Sequence, residues 1–128
     1  MDVIRGVGRQ LDAVVANAGL GDGSRLQDVT EDMLDFVFGV NTKGSLLTVQ
    51  KSLPLLARPA SVILMASSTI HRGADRMGVY SASKATVRSL GRTWAAELAP
   101  QGARQHHHAR PHRHTRDRPP GRQARPEQ

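Results

Sequence analysis

The chain has 128 residues, enough for one small domain, and 38% of them are hydrophobic, a low share for a compact globule. Its formal charge of +7 is uneven: from Ala103 onward seven arginines stand against two acidic residues, together with five of the six histidines, so the residues before that point are nearly neutral. The absence of cysteine excludes disulfides and thiolate metal sites, and no apolar run approaches the roughly 20 residues of a membrane-spanning helix. No membrane association is expected, and the expected location is cytoplasmic.

In chain order, residues 2–10 carry Val3, Ile4 and Val7 at helical spacing and read as the last turns of a helix. Leu11 to Ala16 is a short Val-containing apolar run, closed by Asn17-Ala18-Gly19, as in a buried parallel strand that feeds a loop. Gly19, Gly21 and Gly23 keep that loop open. Thr30-Glu31-Asp32 supplies a capping hydroxyl and first-turn acids for a helix, with Met33, Leu34, Val37 and Phe38 at helical spacing. A second helical stretch, 42–56, offers Leu46, Leu47, Val49, Leu53 and Leu56 for burial, with Pro54 bending or shortening its end.

Ser61 to Ala66 is the second strand, ending in Ser67-Ser68-Thr69. After a loop over 70–79, a long helix is expected over 80–98, with Val87, Leu90, Trp94 and Leu98 on one side and Pro100-Gln101-Gly102 as its stop. Strand–helix–strand–helix order with buried-type strands argues for an α/β fold with a parallel sheet. Two strands are visible, fewer than such a sheet needs. Residues 103–128 show no hydrophobic periodicity and are expected to be disordered, so the expected organisation is a partial domain over 1–102 and a tail over 103–128.

Tyr80 and Lys84 lie four apart on the expected helix and so share a face. A phenol ionises only near pH ~10, and a neighbouring cation favours the phenolate. Such a pair can act as general acid or base on an alcohol or carbonyl oxygen. Ser67 closes a strand 13 residues earlier, and strand ends facing helix starts are where α/β sheets place ligand-binding groups.

The run Tyr80-Ser81-Ala82-Ser83-Lys84-Ala85 resembles the Tyr-x-x-x-Lys signature of the short-chain dehydrogenase/reductase family. Ser67 stands at the family's usual distance before the tyrosine, and Asn17-Ala18-Gly19 is similar to the Asn-Ala-Gly after its fourth strand. Asn41, within Val40-Asn41-Thr42-Lys43-Gly44, corresponds to the asparagine that completes the family's tetrad, and Thr93 to Leu98 resembles the end of its fifth helix. Each piece alone has a plainer reading: a surface pair, a cap hydroxyl at Ser67, turn residues at Asn41 and Asn17. Their common order on the right element types favours the family.

The resemblance implies a doubly wound, Rossmann-type parallel sheet and hydride transfer between NAD or NADP and a small-molecule carbonyl/alcohol pair. It assigns Tyr80 as acid/base, Lys84 as its pKa-lowering partner and ribose contact, Ser67 as substrate-oxygen donor and Asn41 as holder of a relay water. Asn17, Ala18 and Gly19, with Tyr80 and Lys84, would line the cofactor site. The family's Gly-rich βαβ phosphate cradle has no counterpart here, because Gly6 and Gly8 precede a strand instead of following one. The implied fold is thus a fragment without that N-terminal part, with turnover by the present chain weak or lost. The family's corresponding helices commonly pack between subunits, so 42–56 and 80–98 are candidates for a homo-oligomer or another partner surface.

The five tail histidines suit transition metals and the seven arginines suit phosphates. Neither set has stacking aromatics or supporting partners in sequence, so metal and nucleic-acid binding are not the expected functions. The tail fits another origin. Read one base out of register from the second base of Arg104, with CGN arginine codons, it permits Val-Asn-Thr-Ile-Thr-Pro-Gly-Pro-Ile-Asp-Thr, the continuation the family would have. Sequencing the gene through this region should show that shifted frame; codons that forbid it would make the Arg/His tail a genuine feature.

Overall fold

A computed structural model describes residue 6, residues 8–21 and 23–99, and the backbone of 103–110. The expected helix over 2–10 falls largely outside the described residues, as do Pro100 to Gly102 and the tail from 111 onward. The first strand, β1, is Leu11–Ala16, as its apolar run predicts. A 3-10 turn at Leu26–Asp28 precedes helix α1, Glu31–Phe38. Thr30 caps that helix: its hydroxyl oxygen accepts from the Met33 amide at 3.2 Å, satisfying one of the amides a helix start leaves unpaired.

Helix α1 does not end before the next one begins. A π turn, Gly39–Lys43, carries it into α2, Gly44–Ser52. The expected second helix therefore starts later than Thr42 and stops earlier than Leu56. Pro54 cannot continue it, and Leu53–Leu55 tighten into a 3-10 turn. Strand β2 then runs Leu56–Ser67, five residues longer at its start than the apolar run alone suggests. The extension is irregular: Leu11 pairs with Leu56 and Ala13 with Ser61, so the Arg58–Pro59 segment bulges out of the ladder. From Ala13 to Ala16 the register is regular and parallel, ending at Ala16 opposite Leu64. A 3-10 turn at Ser68–His71 leads to helix α3, Gly78–Leu98.

A third strand, β3, Ala103–Arg110, runs parallel to β2, from Ala60 opposite Ala103 to Ser67 opposite Arg110. The sheet order is β1-β2-β3. This strand adds a third to the two that the sequence makes visible. Main-chain pairing supplies its hydrogen bonds, and main-chain pairing leaves no hydrophobic signature in a run such as Gln-His-His-His.

Helices α2 and α3 pack against β2, and α2 also against β1. Alternate strand residues face them: Val14 and Ala16 on β1, and Ala60, Val62, Leu64 and Ala66 on β2, are all buried. The core joins Ala16, Val62 and Leu64 to Val49 of α2 and Val87 of α3, with Leu56 and Trp94 packed against it. On the other face Ala13 and Val15 of β1 are exposed and Ile63 and Met65 half-buried. Helix α1 packs on α3 and buries Val37, whereas Leu34 and Phe36 are exposed, so the expected apolar face of α1 is narrower than its spacing suggests. Leu64 has no exposed surface. Leu64→Ala should cost about 2–5 kcal/mol, read as a lowered urea midpoint with unchanged slope.

Candidate functional site

The site is built where β1 ends. After Ala16 the chain leaves the sheet, and the loop 17–21 crosses the first turns of α3. A Cβ added at Gly19 would lie 2.8 Å from Lys84 Nζ and 3.3 Å from Asn41 Oδ1. One added at Gly21 would lie 3.5 Å from the Tyr80 ring and 3.7 Å from Met77. The loop thus lies on the face of α3 that carries Tyr80 and Lys84, both buried.

Lys84 is 4% exposed, and its Nζ donates to the Met65 main-chain oxygen at 2.8 Å. Met65 follows Leu64, the last β2 residue paired with β1, so the lysine is bonded to the strand just past the end of that ladder. Burial holds the Lys84 amine below its ordinary value of 10.5, because desolvation penalises the charged form.

Asn41, with no exposed surface, sits in the π turn. Its Oδ1 accepts from the Leu20 amide at 2.8 Å, and its Nδ2 donates to the Leu20 carbonyl at 2.8 Å and to Ser83 Oγ at 2.9 Å. The Leu20 N–H identifies which terminal atom is oxygen. Its main-chain oxygen accepts from Ser45 Oγ at 2.7 Å. Both side-chain N–H groups are therefore committed, and the side chain has only the second lone pair of Oδ1 left to accept from a water.

Ser67, also without exposed surface, accepts from the Thr69 amide at 3.3 Å and from Thr69 Oγ1 at 3.0 Å. This is the capping geometry its plainer reading predicts. Because both bonds are accepted, they do not consume the Ser67 proton. Asn17 and Ala18 are exposed and line a small cavity of about 80 Å³ with Gly44, Ser45 and Thr48, below the few hundred cubic ångströms of an ordinary ligand pocket. The structure thus brings Gly19, Asn41, Tyr80 and Lys84 together, sets Ser67 at the end of the strand on which α3 packs, and turns Asn17 and Ala18 towards the start of α2.

Sequence reasoning missed Ser83, Leu20 and Met65. Leu20 and Met65 contribute main-chain atoms, which residue identity does not announce. Ser83 was legible as one of the small residues between Tyr80 and Lys84, without a role. Gly19 leaves open the space beside Lys84 Nζ that a Cβ would fill.

The family model for enoyl-(acyl carrier protein) reductase matches residues 1–107. The chain is 46% identical over 96 residues to the oxidoreductase asL5 of Sarocladium schorii, covering 73% of this chain and 39% of that protein. Among solved structures, the promiscuous reductase LugOII, which catalyses keto-reduction at C1 during lugdunomycin biosynthesis, superposes with a TM-score of 0.79 at 26% identity, over 86% of this chain and 45% of that one. The angucycline C-6 ketoreductase LanV with bound NADP superposes with a TM-score of 0.75 at 23% identity, over 78% and 39% of the two chains. The chain belongs to the short-chain dehydrogenase/reductase family and shares the Rossmann-type fold of these reductases. It spans about two fifths of the length of the relatives it matches.

Burial of Lys84 makes stability depend on pH. Between the lowered folded value and 10.5 the unfolded chain binds more protons, so stability rises with pH across that window. The cost of the buried charge is fully present below it. The urea midpoint of the wild type should therefore rise towards pH 10.5 relative to that of Lys84→Met; parallel pH profiles would contradict the desolvation.

Proposed function

We propose that this chain is the catalytic segment of an NAD(P)-dependent oxidoreductase acting on a small-molecule carbonyl/alcohol pair. The observation that carries this reading is the buried Lys84 side chain on the same face of α3 as Tyr80, beneath a loop whose Gly19 leaves the lysine room. When bound, the nicotinamide supplies or accepts the hydride.

The protein's part is proton handling and placement. Tyr80 gives a proton to, or takes one from, the substrate oxygen, and Lys84 stands beside it on the same helical face. Ser67, with its own proton still available, orients the same oxygen. Asn41 contributes chiefly by placement, because its N–H groups hold Leu20 and Ser83; a relay water at the side chain would have to use the remaining Oδ1 lone pair. Gly19 and Lys84 would hold the nicotinamide ribose, and Asn17 and Ala18 would border the cofactor site.

A second reading has an observation of its own. A groove of about 270 Å³ lies between α2 and α3, lined by Leu46, Val49, Leu53, Trp94 and Leu98, with Gln50 and Glu97 at the polar positions. It supports association through these helices, as a homo-oligomer or as a non-catalytic partner surface. No helix among the described residues is long and apolar enough to cross a membrane. The reading keeps the cytoplasmic setting expected from the sequence.

The test is turnover of NADH or NADPH by the full chain against a panel of ketones, followed by loss of reduced-nicotinamide absorbance. Tyr80→Phe should lower kcat by about 10²–10⁴ with little change in cofactor binding. Turnover unaffected by that substitution would sink the assignment of Tyr80. No turnover together with stable self-association would favour the helix-surface reading.

A further inference from the structure

Ser83 lies between Tyr80 and Lys84 on α3 and has no exposed surface. Its hydroxyl does two things at once. It accepts from Asn41 Nδ2 at 2.9 Å and donates to the Tyr80 main-chain oxygen at 2.7 Å. Its main-chain oxygen also accepts from Thr42 Oγ1 at 3.4 Å. A serine that bonds back to a carbonyl one turn earlier is common in helices and needs no partner. Here the hydroxyl also accepts one of the two N–H donors of a fully buried carboxamide, whose other contacts both go to Leu20 in the loop over Lys84. Bonds therefore run without interruption from the main chain of Leu20, through Asn41 and Ser83, to the main chain of Tyr80.

We infer that Ser83 is a positioning residue of this site: its hydroxyl transmits the placement of Asn41 and the 17–21 loop to the helical turn that carries Tyr80 and Lys84. The inference rests on the oxidoreductase reading for its catalytic meaning, but the coupling itself is observable without turnover. Removing the hydroxyl leaves a buried Asn41 N–H without its acceptor, frees the carboxamide to reorient, and releases the Leu20 amide that Oδ1 holds. An effect passed along this path reaches Leu20, 63 residues from Ser83 in sequence, before it reaches the core of β2.

The test compares amide hydrogen exchange at Leu20 and Leu64 in the full chain, for the wild type, Ser83→Ala, Ser83→Cys and Ser83→Thr. Cysteine keeps the side chain's volume with only weak hydrogen bonding, and the protein contains no other cysteine; threonine keeps the hydroxyl. Alanine and cysteine should each speed exchange at Leu20 by about tenfold beyond any change at Leu64, and threonine should restore it. Equal acceleration at both amides, including loss of all protection by unfolding, would make Ser83 a packing residue and overturn the inference. So would an unchanged Leu20, or a cysteine variant that behaves as the wild type. Turnover measured on the same proteins separates this from the reading beneath it. A kcat loss in Ser83→Ala that threonine rescues supports positioning for catalysis. The exchange signature in a protein that never turns over keeps the coupling and removes the oxidoreductase.

Discussion

The site depends on one buried carboxamide. Asn41 satisfies both main-chain polar groups of Leu20 as a neighbouring strand would, and so holds the loop after β1 in place although that loop has left the sheet. Its remaining N–H reaches α3 through Ser83. Three segments distant in sequence meet on this side chain. A buried polar junction of this kind specifies one arrangement because each alternative leaves a donor or acceptor unpaired, at about 1–3 kcal/mol per orphaned group.

The placement of Lys84 follows from that arrangement. Parallel α/β sheets bind ligands beyond the carboxyl ends of their strands. Here β1 stops at Ala16, and the β2 residue just past the shared ladder, Met65, has its carbonyl bonded to Lys84. The lysine is thereby fixed at the rim of the sheet, on the same helical face as Tyr80. Gly19 belongs to the same geometry, since a methyl group there would stand 2.8 Å from the ammonium nitrogen. A flexible lysine end could yield to it, but only by leaving the space that brings the amine close to the loop.

Much of this architecture was legible in the sequence. Apolar runs marked β1 and the inner part of β2, Thr30 marked the start of α1, and the spacing of Val87, Trp94 and Leu98 marked the length of α3. Spacing alone put Tyr80 and Lys84 on one face. The parts that were not legible share a physical cause: main-chain atoms make them. The Leu20 and Met65 contacts, the early start of β2 and the pairing of β3 all use peptide groups that every residue carries. The burial of α1 was misjudged at Leu34 because the helix meets α3 along a narrower strip than its apolar spacing offers. Ser83 is hidden differently: a small residue at that helix position is accounted for by packing alone, and its two bonds leave no mark in the sequence.

The π turn at Gly39–Lys43 has a consequence for how the two helical segments divide their work. One residue advances an α-helix by about 100° of rotation. A π turn accommodates an extra residue without breaking the rod, so it rotates everything after it relative to everything before it. Helix α1 can therefore lean on α3 while α2, its direct continuation, aims Val49 at the sheet. Deleting a single residue of 39–43 other than Asn41 would leave a straighter helix that still carries the carboxamide, but its phase would be wrong on one side or the other. In this protein the length of that turn sets the phase of two helices, apart from what the Asn41 side chain within it does.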